Sequence, residues 1–242
     1  MKILFEYIKK IFTIYASQVL DRNFIKNDLD EILINGLPLR IGKNILVNGL
    51  DISSILSRNL SPLEDKVEDF SRIQSFIALS KTRKFHINLN HVGFCYKSDN
   101  IEHEKATLLS FAKANNLYLY HETSHGFDPW FFVGSKIDKT LPMIEFLPTT
   151  IIPEYWQSSV DMWLPQIQID IDTTIKADEL EPFIRSVFDN NLLMFRLFEV
   201  DNMPVVYRVR LGVLDGVNIN LDIGSDLRDT NNYRTKTLKL IT

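Results

Sequence analysis

The sequence predicts an α+β fold in which a βαβββ unit occurs twice after a mainly helical N-terminal region. Three observations carry that expectation. From Phe85 onward, short β-prone runs and two helical stretches follow one order twice: strand, helix, then three strands. Asn115-Asn116-Leu117 closes the first helical stretch and Asn190-Asn191-Leu192 the second, an offset of 75 residues. The same offset carries His91 onto Gln166 and Glu145 onto Asn220, each within the equivalent predicted strand, as divergent duplication requires.

With 242 residues, 45% hydrophobic and 11% aromatic, the chain can bury a sizeable core. A net charge of -4 gives no footprint for general nucleic-acid or anionic-membrane binding. Residues 1 to 85 hold 13 Lys and Arg against 10 Asp and Glu, an asymmetry too mild for a basic binding arm. The single cysteine, Cys95, excludes an intramolecular disulfide and any zinc site built on several thiolates, and a reducing, cytoplasmic compartment is expected. Glu6, Lys9 and Lys10 interrupt the apolar run of residues 1 to 20, so the segment reads as an amphipathic helix and not an export signal. No run approaches the roughly 18 apolar residues of a membrane span. Glycine-rich phosphate loops and the Gly-x-Ser-x-Gly elbow are both missing.

Leu4, Ile8, Ile11, Tyr15 and Val19 share one face of the first predicted helix, and a polar stretch follows. Two short β-prone runs about Gly42 predict a hairpin between residues 34 and 49. Ser61, Pro62 and Glu64 form the start signal of a helix that buries Val67, Phe70, Ile73 and Ile77 and ends near Ser80. Residues 1 to 84 therefore form the N-terminal region, residues 85 to 150 and 160 to 225 the two units, and residues 226 to 242 a tail. The first unit predicts strands at 85–96, 117–122, 130–134 and 143–147 with a helix at 101–115. The second predicts strands at 164–172, 192–200, 205–214 and 217–223 with a helix at 176–189, and Asp215-Gly216 as a turn.

Asn90-His91-Val92-Gly93-Phe94 resembles the first strand of vicinal oxygen chelate proteins, the superfamily of glyoxalase I, extradiol dioxygenases and bleomycin-resistance proteins. Pro142 to Pro148, with Glu145 at its centre, resembles the fourth strand of such a module. Among the branches the chain looks most like the YecM-type members, which precede the modules by helices and end on an Asp-Gly turn, as Leu214-Asp215-Gly216-Val217 does here. The resemblance covers about 140 residues. It implies that paired modules form a cup-shaped mixed sheet, with His91, Glu145, Gln166 and Asn220 at the four metal-ligand positions and Asp222 as a further candidate. It also implies a divalent ion (Zn, Ni, Mn or Fe) and an isomerase, lyase or dioxygenase acting on a small oxygen-rich molecule, with Glu145 or Asp170 moving protons. Asparagine is a weak donor for such ions, so a metal-free cup that binds or sequesters a small molecule is the alternative. One chain carries both units, which makes a monomer sufficient and leaves oligomeric state open.

Other residues have plainer expected roles. His121 and His125 flank Glu122 in β-like surroundings and read as loop histidines, with the mouth of the cup as the alternative. His86, five residues from His91, should face the other side of the strand, and His103 should be exposed. Cys95 shares the His91 face and reads as a small buried hydrophobe more than as a nucleophile. Trp130, Phe131 and Phe132 read as core or cup lining. Arg208 and Arg210 share a face, read as the solvated outer one, with contact to an anionic substrate as the alternative.

Overall fold

The computed structural model describes residues 22–33, 36–56, 71–82, 85–122, 130–135, 143–149, 165–188, 194–196, 206–225 and 238–242. The first predicted helix, the start signal at Ser61, His125 and the Asn190-Asn191-Leu192 boundary lie outside them. The polar stretch holds a helix that the sequence reading passed over: α1 spans residues 22–32 and buries Ile25 and Leu29, four apart on one face. The predicted hairpin is present as β1 (Leu39–Ile41) and β2 (Ile45–Val47), extended by β3 (Leu50–Asp51) into a small three-stranded sheet. A short helix, α2 (Ser53–Leu56), and α3 (Ser71–Thr82) complete the described N-terminal region.

The remaining elements form one mixed sheet with helices on one face. They are β4 (His86–Lys97), α4 (Ile101–Ala114), β5 (Tyr118–Glu122), β6 (Trp130–Gly134), β7 (Met143–Thr149), β8 (Gln166–Thr173), α5 (Ala177–Phe188), β9 (Met194–Arg196), β10 (Val206–Leu214), β11 (Val217–Ser225) and β12 (Lys239–Ile241). Strand order is β12-β5-β6-β7-β4-β8-β11-β10-β9. At the centre, β4 and β8 run antiparallel, and each pairs outward with a parallel strand, β7 and β11 respectively. The registers correspond: Gly93 stands opposite Glu145 as Gln168 stands opposite Asn220. The predicted tail is not free of structure, because β12 pairs with β5 at the sheet edge.

Local signals explain most boundaries. Asn100 caps α4 by accepting from the His103 amide at 3.0 Å, and Asn116 leaves the helix with φ 56, a left-handed conformation asparagine tolerates. Asp215 and Gly216 have φ 55 and 74, the consecutive positive angles that let a two-residue turn join β10 to β11. Arg22 and Lys26 of α1 both pair with Asp215, so the N-terminal region docks on that turn.

Apolar and polar residues alternate along β8 and β11. Ile167, Ile169, Ile171, Ile219, Leu221 and Ile223 join Leu108 of α4, Leu180 and Ile184 of α5, and Phe76 of α3 in the main core. At roughly 1.5–3 kcal/mol for each large apolar side chain removed from water, that layer dominates folding. On the other face stand Gln168, Asp170, Asp172, Asn218, Asn220 and Asp222, and these are buried as well. Buried polar side chains at this density need hydrogen bonds, and Asp170, Asn218, Asn220 and Asp222 have them.

Candidate functional site

The polar face centres on β4. The register with β8 shifts between Leu89 and His91, a bulge that inserts Asn90, and this extra residue resets the alternation. Its first consequence corrects the reading of His86. That residue pairs with Asp172 and His91 pairs with Gln168, so both lie on the same face. Its second consequence is chemical. Asn90 Nδ2 donates to both oxygens of Asp170, at 2.7 and 2.9 Å, which turns its Oδ1 to His91 Nδ1 at 2.8 Å. A carboxylate accepts, so Asn90 Oδ1 must accept in turn, and the His91 proton sits on Nδ1. Nε2 is left facing the sheet.

That atom stands 3.2 Å from Glu145 Oε2 and forms no hydrogen bond. The same Oε2 accepts from Gln166 Nε2 at 3.0 Å, and Gln166 Oε1 accepts from Asn220 Nδ2 at 3.1 Å. His91, Glu145, Gln166 and Asn220 are thus linked side chain to side chain. Turning both carboxamides end for end keeps the Gln166–Asn220 bond and brings Oε1 beside Glu145. Gly93 makes the room. A Cβ there would lie 2.5 Å from Gln166 Nε2 and 2.7 Å from Glu145 Oε2.

Burial pushes the Glu145 carboxyl up, but the His91 ring, Arg208 and the Gln166 amide outweigh it and hold the group below the ordinary carboxylate range. Glu145 is therefore ionised at neutral pH. Among the described residues no three His, Cys, Asp or Glu side chains group closely enough to hold an ion, so a site at His91 and Glu145 built from those residues would draw on the neighbouring carboxamides.

The remaining candidates fall into place around this cluster. Asp222 accepts from Nε and Nη2 of Arg208, at 3.0 and 3.1 Å, and Asp170 accepts from Asn90. The outer-face reading of Arg208 and Arg210 is overturned: they pair with Asp222 and Asn220 across the ladder and share the Glu145 face. His121 is no loop residue. It lies on β5 opposite core Phe131, on the face away from Glu145, and its ring pKa is lowered by burial and by Lys239 and Lys105. His103 is exposed, as expected. Phe131 is core, whereas Phe132 pairs with Glu145 and forms a small apolar cluster with Tyr120, Leu238 and Trp130 beside His91.

Cys95 is buried on the His91 face, and its thiol is pushed up to about 12 by burial and by Glu145. A thiol this far above neutrality is not a nucleophile. Iodoacetamide at pH 8 should label the native chain far more slowly than the urea-unfolded chain; comparable rates would contradict the burial described. A separate cavity of about 420 Å³, lined by Lys26, Leu39, Ile167, Leu214 and Ile219, opens on the apolar side of the sheet, away from Glu145.

Sequence reasoning singled out four of these linked residues and missed Asn90 and Gly93. The Asn90-His91-Val92-Gly93 string contained both, but only pairing with β8 makes one a bulge and the other a cradle. Among the described residues no helix is long and apolar enough to cross a membrane. Compared with protein-family models, curated proteins and solved structures, the chain finds no match.

Proposed function

We propose that the chain is a divalent-metal-dependent enzyme of the vicinal oxygen chelate type, with His91, Glu145 and Gln166 as protein donors. Supporting the paired-module reading are the two outward strand orders β4-β7-β6-β5 and β8-β11-β10-β9, which correspond about the antiparallel β4–β8 pair. One observation carries the metal reading. Two buried atoms of metal-ligating type, His91 Nε2 and Glu145 Oε2, lie 3.2 Å apart, and Nε2 makes no hydrogen bond. Donors about 2.0–2.2 Å from one ion are spaced at roughly that distance from each other, so the pair fits a shared cation.

In this reading Asp170 and Asn90 fix the tautomer and direction of the His91 ring. Asn220 orients Gln166 and is not itself a donor, which accommodates asparagine at that position. A bound ion would polarise a substrate carbonyl or stabilise an enediolate. The ionised Glu145 accepts a proton or holds charge close to the reacting oxygens, and Phe132, Tyr120 and Trp130 offer an apolar wall on one side. The substrate class is a small oxygen-rich molecule. A metal-free binding cup is the second reading, favoured by the carboxamides at Gln166 and Asn220, which already satisfy one another.

Metal analysis of protein purified without chelator separates the two. Near-stoichiometric Zn, Ni, Mn or Fe is expected in the unaltered chain and should disappear in both His91→Ala and Glu145→Ala. Protein that holds no ion even after reconstitution would leave the binding cup as the better account.

A further inference from the structure

Gln168 is the anomaly of the polar face. It is 0% exposed, and neither its Oε1 nor its Nε2 has a hydrogen-bond partner. Four carboxamides around it are engaged: Asn90 with Asp170, Gln166 with Glu145, Asn218 with Arg210, and Asn220 with Gln166. A buried amide with both ends unpaired destabilises a fold, and such groups stand out because almost all others are satisfied. Gln168 stands directly opposite His91 in the antiparallel ladder and beside Asn220 in the parallel one. His91 Nε2, across the ladder, is the other unpaired buried atom of this pair.

We propose that Gln168 supplies a further metal donor through Oε1, at the place the resemblance would give to Asn220. The inference rests on the metal reading above and adds a residue to it. Directly opposed side chains have Cβ atoms about 4.5–5.5 Å apart, so an ion about 2.1 Å from His91 Nε2 is within reach of a glutamine oxygen on the facing strand. Both Gln168 atoms are closed to water, whereas an ion held among protein donors needs no such access. Asn220 is poorly placed for the same role, because its amide is directed to Gln166.

The test measures Zn and Mn affinity by chelator competition for the full chain, Gln168→Leu and Gln168→Glu, together with melting temperatures in excess chelator. Gln168→Leu should bind the ion at least about tenfold more weakly, yet melt higher than the unaltered chain without metal, since the unpaired amide is gone. Gln168→Glu should bind more tightly, an anionic oxygen replacing a neutral one. Affinities within about twofold of the unaltered chain in both variants, or a lower metal-free melting temperature for Gln168→Leu, would overturn the assignment while leaving His91 and Glu145 in place. An unaltered chain that takes up neither ion would remove the metal reading itself, and this assignment with it.

Discussion

In the ion-free chain, where the charge of the His91 ring lowers the Glu145 pKa, His91→Ala is expected to destabilise the fold by about 3–5 kcal/mol at neutral pH, because it leaves the buried Glu145 carboxylate without that facing cation. Burial alone would raise the Glu145 pKa, and His91 is the largest of the contributions that bring it below the ordinary value. With the folded pKa lowered, the stabilisation is fully present above the unfolded carboxylate value of about 4.3 and is lost as pH falls through the folded one. Without His91 the balance tips toward desolvation and the folded pKa rises. Protonation then favours the folded variant. The stability gap between the two chains should therefore be largest near pH 7 and shrink toward pH 4. Urea unfolding at both values measures it, and a small gap at pH 7, or one that widens in acid, would refute the electrostatic account of this pair.

Gly93→Ala should cost about 1–3 kcal/mol and, on the metal reading, most of the bound ion. The added Cβ would meet Gln166 Nε2 at 2.5 Å, Glu145 Oε2 at 2.7 Å and Gln166 Cγ at 2.8 Å, so both side chains must leave their places. Glu145 is buried and Gln166, half-buried, is hydrogen-bonded to Asn220, so moving either breaks the linked cluster. Gly42→Ala is the control: a Cβ there meets only Asn44 O, at 4.0 Å, and should leave stability unchanged. Equal melting temperatures for the Gly93 and Gly42 variants would mean that the β4 face is looser than described.

Helix and strand positions were largely legible because they rest on local pattern. Alternation marked β4, β8, β10 and β11, and the predicted helices at 101–115 and 176–189 match α4 and α5 to within one residue at each end. Exceptions have physical reasons. Ile25 and Leu29 did carry the spacing of a helix, but the polar residues between them outweighed it until α1 found the Asp215 turn to dock on. The β12 strand is three residues long and exists only because the β5 edge is there to receive it.

The candidate site divides along the same line. The sequence by itself determined which side chains were available: a histidine, a glutamate and two carboxamides at one offset, on strands whose alternation puts them opposite an isoleucine face. Tertiary pairing decided what they can do. Whether Arg208 faces solvent or Asp222, whether His86 shares a face with His91, and which His91 nitrogen is left free all depend on strand register and on one bulged residue, Asn90. A strand has period two, so a single inserted residue exchanges its faces, and that insertion is visible only against the partner strand.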